Sequence, residues 1–431
     1  MLYDNLGINE AGHLTFAGFD TTCLAAQYGT NLLVMDEERI RSRCRTYRAA
    51  MQKHLPAGSR PLYASKALSI LPLYRIMAQE NMGIDVVSSG ELFTAVKAGF
   101  PMENAYFHGS SKTDRDIAFA MDHGIGRIVC DSAEELAVID REAASRGIRQ
   151  KILLRLAPGI DPHTHEKINT GRIDSKFGAA IENGQAEALT LRALAMENVE
   201  LEGFHCHVGS QLFDPSPIVD GAAMMLRYAA HIRNAHGYCA GVINLGGGLG
   251  VPYVATDPQV DYDAAIARVG ATVTQVCREL SFPEPAILME PGRSIVADCG
   301  ITLYTVNAVK KIPGFKNYVA IDGGMADNPR YTLYQSDYTV LAANRMHDQA
   351  DFSCTIAGCC CESGDLIQEN VNLPEPHRGD LLAVLTTGAY NYSMASNYNR
   401  LPRPPIVMIG PDGPYVAVRR ETYEDLLNCD L

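Results

Sequence analysis

The chain has 431 residues, of which 47% are hydrophobic, so it can build a barrel-sized domain together with a second, smaller one. Its formal net charge of −13 is spread over short stretches of both signs without a basic block, which argues against a nucleic-acid partner. The N-terminus lacks a basic region followed by an apolar run, and no segment approaches about 18 uninterrupted apolar residues, so we expect a cytoplasmic protein with no membrane partner.

Twelve cysteines are scattered through the chain without the paired spacing of a metal site. A reducing cytoplasm would keep them as thiols, and most are expected to be small core residues. The run Cys359 to Cys361 is the exception, because three neighbouring side chains cannot all point into one core. The sequence therefore predicts neither a metal site nor a disulfide framework.

Short apolar runs alternate with longer segments of helical period between residues 61 and 291, which is typical of repeated strand-then-helix units with parallel strands. In one helical segment, Ser132 stands at the capping position and Glu135 follows three residues later. Eight such units predict a closed (β/α)8 barrel of the TIM type, with an open doubly wound sheet as the alternative. The eight runs are PLYAS (61–65), IDVVS (84–88), AYFHG (105–109), RIVCD (127–131), KILLRL (151–156), LEGFHCHV (201–208), VINLGG (242–247) and AILMEP (286–291).

The chain changes character after about residue 298, where strand-like runs follow one another with little helical pattern. This half predicts a second, mainly antiparallel β domain of the sandwich or barrel kind. The earlier run LLVMD (32–36) precedes the barrel and can pair into the same domain. We expect the barrel at residues 38–297 and the β domain at residues 298–431, joined by the N-terminal segment 1–37.

Reactive side chains follow the predicted barrel strands. A parallel barrel gathers its active site at the carboxyl ends of its strands, so functional residues should stand directly after each run. In chain order, the residues at these ends are Lys66, Ser88, His108, Asp131, Arg155, His207, the triplet Gly246, Gly247 and Gly248, and Glu290 with Arg293.

The glycine triplet lets the backbone approach a phosphate and offer it N–H donors, although a glycine-rich turn alone is weak evidence. Phosphate sites in such barrels are built from the loops after strands seven and eight, where the triplet and the segment EPGR with Gly292 fall. A lone lysine in the position of Lys66 usually extends into solvent. Near a phosphate site and cationic groups, partial burial would instead favour a neutral amine that bonds covalently to a carbonyl cofactor.

Glu290 is an acid that emerges from an apolar strand, between LM and PG. One explanation is a salt bridge to Arg155 or Arg293. The other is a carboxylate that keeps a pyridine nitrogen protonated, which makes the ring a better acceptor of electrons.

His205 and His207 have the i, i+2 spacing that points both side chains to one face of a strand. Zinc would need a third and a fourth ligand at a recognised spacing, and the sequence has none. A single histidine stacked on an aromatic cofactor, with Ser210 as a phosphate donor, suits the site better.

These motifs resemble those of the fold-type III pyridoxal-phosphate decarboxylases, and among them those of the diaminopimelate decarboxylase family, over nearly the whole chain. YASKA matches the cofactor-lysine motif, HVGSQ the histidine that stacks on the ring, and GGGLG and EPGR the phosphate and pyridine elements. THEKINTGRIDSKFG (164–178) matches a characteristic family segment. The resemblance implies pyridoxal 5'-phosphate as the cofactor, and decarboxylation of meso-2,6-diaminopimelate to L-lysine as the reaction.

Three further family matches, DGGMADNPRYTLY, CESGD and TGAYNYSMASNYN, lie in the predicted β domain and concern the substrate. The resemblance implies that Cys361 and Glu362 come from the second subunit of a homodimer, and that Tyr390 reaches the cofactor phosphate. Either Cys361 or Lys66 would return a proton to the reacting carbon. The substrate residues implied in this way are Arg293, Arg330, Tyr334, Glu362, Ser363 and Tyr390.

The chemistry of the substrate agrees with these residue types. A substrate with an extra carboxylate and an extra amine needs fixed cations and an acid at its distal end, and Arg330, Arg293 and Glu362 provide them. Taken singly, each of the three has the alternative role of a surface or interface ion pair.

Three alternatives keep part of this pattern. Decarboxylases of ornithine, lysine, arginine or a D-amino acid share the chemistry, but their substrates favour acidic residues at the distal end. A racemase of the same fold is disfavoured because the cysteine of CESGD suits reprotonation after decarboxylation. A non-catalytic cofactor-binding protein could keep Lys66 and the glycine triplet but would not need Arg330, Cys361 and Glu362.

Overall fold

Eight parallel strands close into a barrel in the computed structural model, which describes residues 2–160 and 176–431. Each strand pairs with the next one in the chain, and the eighth pairs with the first. The predicted barrel is confirmed, as are all eight of its strands. Most of the family segment THEKINTGRIDSKFG lies outside the described residues. The strands are Arg60–Ala64, Gly83–Val86, Ala105–Phe107, Arg127–Cys130, Gln150–Ala157, Val199–His205, Val242–Asn244 and Ala286–Met289.

The chain forms two units. Unit 1 comprises Met1–Arg41, Val251–Pro258 and Ile295–Leu431, and unit 2, which contains the barrel, comprises Ser42–Gly250 and Gln259–Ser294. Within the described residues, no helix combines the length and the apolar character that crossing a membrane requires.

Helices alternate with the barrel strands, and side-chain caps fix where several of them begin. Ser132 accepts a hydrogen bond from the Glu135 backbone N–H, as its capping position predicts. Elsewhere, Gly270 lets the helix Tyr262–Glu279 approach the end of the helix Glu37–His54 closely. A Cβ on Gly270 would lie 2.1 Å from the backbone oxygen of His54. The helix Glu37–His54 precedes the first strand, and the others are Leu71–Gln79, Ser89–Ala98, Asp114–Asp122, Ala133–Ser145, Gln185–Leu194, Ser216–His236 and Tyr262–Glu279.

Strand alternation divides the barrel interior into an apolar layer and a polar layer. One buried cluster contains Leu62, Tyr106, Val129, Leu153 and Leu288. Because strand side chains have a period of two, the residue two positions later on each strand faces the same way, nearer the carboxyl end. On four of these strands that later residue is polar and buried, and these residues are His108, Asp131, Arg155 and Glu290.

Lys112 and Glu135 form a buried ion pair in unit 2. The Lys112 Nζ lies 2.9 Å from Glu135 Oε1, and the two side chains are 2% and 5% exposed. The same Nζ donates hydrogen bonds to the backbone oxygens of Gly109 and Val129. Desolvation raises the pKa of Glu135, although the neighbouring Lys112 charge acts to lower it. The pair therefore ties the segment after strand three to strand four and to the helix Ala133–Ser145.

We expect Lys112→Met to lower the free energy of unfolding by about 3–5 kcal/mol, because it leaves a buried carboxylate without its cation. Urea denaturation of the variant and the native protein measures this difference. The matched control is the double variant Lys112→Met, Glu135→Leu, which removes both charges and should recover most of the loss. A single variant as stable as the native protein would contradict a stabilising role for Lys112.

A mixed sheet forms the centre of unit 1 and is mainly antiparallel, as predicted. Two of its pairings are parallel, between Lys316–Ile321 and Phe352–Ala357 and between Leu32–Asp36 and Ile406–Gly410. The LLVMD run therefore does pair into this sheet. In order, the main path contains Leu366–Leu373, Phe352–Ala357, Lys316–Ile321, Gly300–Ile312, Leu32–Asp36, Ile406–Gly410 and Gly413–Val418.

Shorter elements complete unit 1. The strand Leu381–Leu385 pairs with both Gly300–Ile312 and Val340–Ala342. Near the N-terminus, a small antiparallel sheet contains Leu6–Ile8, Leu14–Phe16 and Phe19–Asp20. The helices of this unit include Thr21–Tyr28, Arg330–Tyr334 and Tyr423–Leu427.

Candidate active site

Lys66 stands in a short 3-10 turn, Ser65–Ala67, directly after the first barrel strand. Ser65 and Ala67 are buried on either side of it, whereas the Lys66 side chain is exposed. The Lys66 side chain is therefore less buried in the single chain than the sequence predicts. Its positive charge still acts on buried neighbours. The pKa of His207 is lowered mainly by desolvation, and the charge of Lys66 is the next largest cause.

Glu290 follows the eighth barrel strand and is buried among polar side chains from three other strands. The Asn244 amide nitrogen donates to Glu290 Oε1 at 2.6 Å, and His108 Nε2 lies 2.9 Å from the same oxygen. His205 Nε2 lies 3.4 Å from Oε2. Desolvation acts to raise the pKa of Glu290, but the interactions with His108 and His205 outweigh it and hold the pKa well below its usual range. Glu290 is therefore an anion at neutral pH.

The two histidines of the HCHVGSQ motif have different surroundings. Burial lowers the pKa of His205 to about 4, which makes its imidazole neutral at pH 7. Its ring meets that of His108 edge to face, with centroids 4.8 Å apart. Burial also lowers the pKa of His207, to well below the ordinary histidine value. Neither ring therefore adds a positive charge to the site at neutral pH.

Three side chains in the described part of the chain form a group that could hold a metal ion, namely His108, His205 and Glu290, whose ligand atoms all lie within 4.8 Å of one another. The sequence predicted His108 and Glu290 at the same end of the barrel, but it did not indicate that His205 joins them. A different signal was available for Asn244, which is a polar residue inside the apolar strand Val242–Asn244.

Asp85 is a further buried acid at this end of the barrel, on the second strand. Its Oδ1 lies 3.9 Å from His108 Nε2. Burial raises the pKa of Asp85 to about 6; the electrostatic interaction with His108 acts to lower this pKa, and the one with Glu290 acts to raise it further. The sequence placed no functional residue here, because Asp85 precedes the predicted strand end by three residues.

The remaining strand-end residues have local partners. Ser88 caps the helix Ser89–Ala98 by accepting a hydrogen bond from the Glu91 backbone N–H. The Arg155 guanidinium lies 4.2 Å from the centroid of the Phe177 ring, and its Nε is 3.8 Å from Asp131 Oδ1. These contacts give structural roles to residues that the sequence marked only by position.

The glycine triplet packs its backbone against neighbouring backbone and leaves no room for side chains. A Cβ on Gly247 would lie 2.1 Å from the Glu290 backbone oxygen, and one on Gly248 would lie 2.4 Å from that of Gly209. Gly246 has a φ of +68°, and its N–H donates to the side-chain oxygen of Asn244. Across the described residues, no acceptor is recorded for the N–H groups of Gly247 and Gly248. The triplet can therefore offer these two donors to a phosphate.

The loop after strand eight meets the HVGSQ loop beside this triplet. Arg293 begins a short helix and donates from Nη2 to Ser210 Oγ at 3.2 Å. A Cβ on Gly292 would lie 3.0 Å from that of Ala64, so this glycine allows a close approach to the end of strand one. The structure thus brings together Lys66, His207, Ser210, Gly246, Gly247, Gly248, Glu290, Gly292 and Arg293 at the carboxyl ends of the barrel strands.

We expect Gly247→Ala to weaken pyridoxal phosphate binding by about tenfold or more, because the new Cβ would displace the Glu290 backbone from the site. Titration of the cofactor by its absorbance measures this loss. The matched control is Gly241→Ala in the same unit, where an added Cβ would meet only the Glu202 oxygen at 3.9 Å. Native affinity in the Gly247 variant would exclude the triplet from the cofactor site.

In unit 1, three tyrosines surround the buried Arg330. Its guanidinium carbon lies 5.7 Å from the ring centroid of Tyr253, 5.4 Å from that of Tyr334 and 5.8 Å from that of Tyr390. Ser336 Oγ accepts a hydrogen bond from Nη2, and no ion pair between Arg330 and a carboxylate is recorded in residues 2–160 and 176–431. Arg330 is therefore a buried cation that can receive an anion.

The CESGD residues lie in the loop between strands Phe352–Ala357 and Leu366–Leu373. Cys361, Glu362 and Ser363 are all exposed in the single chain. The Cys361 N–H donates to the Asn399 side-chain oxygen, which fixes the backbone of this loop. The structure thus groups Arg330 with Tyr334 and Tyr390, and leaves the three CESGD residues on a surface.

Comparison with known proteins identifies similar sequences and structures. Residues 37–297 match the family described as "Pyridoxal-dependent decarboxylase, pyridoxal binding domain". The chain is 43% identical over 425 residues to a diaminopimelate decarboxylase from Bacillus subtilis (strain 168), covering 98% of this chain and 96% of the relative. A crystal structure of the M. jannaschii diaminopimelate decarboxylase in complex with L-lysine is similar with a TM-score of 0.92 and 33% identity, covering 99% of this chain and 98% of that one.

Proposed function

The chain belongs to the diaminopimelate decarboxylases within the pyridoxal-dependent decarboxylase family, and we infer from this membership that it converts meso-2,6-diaminopimelate into L-lysine and carbon dioxide. It is thus a carboxy-lyase with pyridoxal 5'-phosphate as its cofactor. When bound, this group supplies an aldehyde that takes up an amine and a protonated ring that accepts the electron pair left by carbon dioxide.

We propose that the cofactor is held by the barrel residues of unit 2, whose chemistry fits it. The phosphate is suited to the backbone N–H groups of Gly247 and Gly248 and to the Ser210 hydroxyl. The backbone at the two glycines has no room for side chains. The anionic Glu290 suits a protonated ring nitrogen, and the neutral His207 suits the face of the ring. Gly292 and Arg293 complete the proposed cofactor set in this unit, and the family resemblance adds Tyr390, from unit 1, as a residue for the phosphate.

Lys66 has two proposed tasks in the reaction. Its Nζ would hold the cofactor aldehyde until a substrate amine replaces it, and would then be free to carry a proton. The exposed position of Lys66 supports this exchange, because a side chain at the mouth of the barrel can move without disrupting the core. After carbon dioxide has left, either Lys66 Nζ or Cys361 Sγ returns a proton to the reacting carbon.

The buried Arg330 carries the proposal about the substrate. A guanidinium that is surrounded by tyrosines and has no carboxylate partner among the described residues is suited to the distal carboxylate of diaminopimelate. Ornithine and lysine lack that carboxylate and would leave the cation buried without a partner. Tyr334, Arg293, Glu362 and Ser363 are the other proposed substrate residues.

A comparison of substrates tests the proposed reaction. The purified protein, supplied with pyridoxal phosphate, is incubated separately with meso-diaminopimelate, L-lysine, L-ornithine and D-lysine, and carbon dioxide release is followed. We expect release from diaminopimelate only. Equal rates on all four substrates would refute the specificity, and preference for ornithine would identify a related decarboxylase instead.

We further propose that the working form is a homodimer, in which Cys361 and Glu362 serve the site of the other subunit. Their exposure in the single chain supports this arrangement, because without a second subunit these two residues would face bulk water and not an enclosed site. A cytoplasmic location also stays a prediction.

A mixing experiment tests the shared sites. Lys66→Ala and Glu362→Ala are each expected to be inactive alone. After the two are unfolded and refolded together, about one quarter of native activity should return, because half of the subunit pairs then contain one intact site. No recovery in a mixture that sediments as dimers would contradict the shared site.

A further inference from the structure

Three polar side chains from separate barrel strands converge on the Glu290 carboxylate. Asn244 donates to Oε1 at 2.6 Å, His108 Nε2 lies 2.9 Å from that oxygen, and His205 Nε2 lies 3.4 Å from Oε2. All four side chains are buried. The proposed reaction uses the Glu290 carboxylate but gives its three neighbours no role.

Asn244 connects this carboxylate to the glycine triplet. Its amide nitrogen donates to Glu290, while its side-chain oxygen accepts the Gly246 N–H at 2.9 Å. The two partners fix the orientation of the amide, because a carboxylate only accepts and a backbone N–H only donates. One side chain thus couples the group proposed for the ring nitrogen with the loop proposed for the phosphate.

His205 supplies the second oxygen of Glu290 with a neutral partner. Since burial lowers the pKa of His205 to about 4, its imidazole is neutral at pH 7 and can donate from Nε2 in the tautomer protonated there. A neutral donor stabilises the carboxylate without bringing a positive charge that would compete with the ring for it.

A metal ion is the other use for His108, His205 and Glu290, whose ligand atoms cluster. The Asn244 contact argues against it. An amide N–H is a donor and not a metal ligand, and it approaches Glu290 Oε1 at 2.6 Å. The arrangement is that of a hydrogen-bonded anion.

We propose that Asn244 and His205 are positioning residues, which fix Glu290 as an anion for the cofactor ring nitrogen. Asn244 also fixes the position of the glycine triplet relative to Glu290. His108 adds a third contact to the same carboxylate. This inference rests on the proposed function and deepens it, because it assigns the protonation of the ring to a network and not to Glu290 alone.

The test compares variants that remove a donor with one that keeps it. His205→Leu and Asn244→Leu remove the N–H groups and leave an uncharged, apolar side chain, whereas His205→Gln retains an N–H. For each holoenzyme, kcat and KM for diaminopimelate are measured. The protonation of the cofactor is read separately, from the nitrogen-15 resonance of pyridoxal phosphate labelled at the ring nitrogen.

Both leucine variants are expected to lower kcat about tenfold or more, with KM within about twofold of native, because neither residue is assigned to the distal end of the substrate. The nitrogen-15 resonance should move toward that of the unprotonated ring. His205→Gln should recover at least about half of the lost kcat and return the resonance toward its native position.

Native kcat and a native resonance in both leucine variants would overturn the inference while leaving the proposed function intact. A native protein that binds no pyridoxal phosphate would instead refute the proposed function. If His205→Leu does not fold, His205→Phe keeps an aromatic ring without the donor and carries the same expectation. Dialysis against EDTA should change neither activity nor absorbance, and a loss of either would overturn the inference in favour of a metal.

Discussion

Lys66→Ala is expected to lower decarboxylation of diaminopimelate by about 1,000-fold or more, the largest loss of any single substitution in this chain. The variant loses the only amine proposed to bond to the cofactor aldehyde, and with it one of the two candidates for the returning proton. Carbon dioxide release measures the turnover. The absorbance band of the covalently held cofactor should disappear at the same time.

Two controls separate chemistry from folding. Lys66→Arg keeps a positive charge at the mouth of the barrel but offers no nucleophilic amine, so it should be as inactive as the alanine variant. Lys97→Ala removes a lysine from the surface of helix Ser89–Ala98 and should behave as the native protein. A Lys66→Ala protein that keeps both the band and turnover would defeat the assignment.

The fold could be predicted from the sequence because its signals are local. Each barrel strand is a short apolar run, and a period of two then places the next polar residue at the carboxyl end, as it does for His108, Arg155 and Glu290. The same reasoning located the glycine triplet and the EPGR loop. The sequence could not distinguish antiparallel from parallel pairings in the mixed sheet of unit 1, because these pairings join strands that are distant in the chain.

The surroundings of individual side chains were harder to predict. The sequence offered Arg155 or Arg293 as partners for Glu290, whereas the structure surrounds it with His108, His205 and Asn244. Those contacts join four strands around the barrel, so no spacing along the chain encodes them. The exposure of Lys66 was missed for a similar reason, because it depends on the turn that follows the strand.

Arg330→Met is expected to raise KM for diaminopimelate by about 100-fold, because a substrate carboxylate would lose a buried, charge-assisted partner. Turnover at saturating substrate should fall less, since the change is distant from the reacting carbon. Initial rates over a range of diaminopimelate concentrations separate the two parameters. Arg419→Met is the matched control, because Arg419 lies in the same unit with 67% of its side chain exposed and pairs with Asp425.

The same variant also distinguishes a binding role from a structural one. Arg330 is 8% exposed, and its recorded side-chain neighbours are the rings of Tyr253, Tyr334 and Tyr390, the Tyr338 side chain and the Ser336 hydroxyl, with no carboxylate among the described residues. Such a cation is costly to bury in the absence of an anion, so the substrate-free Arg330→Met protein should unfold at the native temperature or above it. A structural arginine would give the opposite result, a lower unfolding temperature with native KM, and that outcome would remove Arg330 from the substrate site.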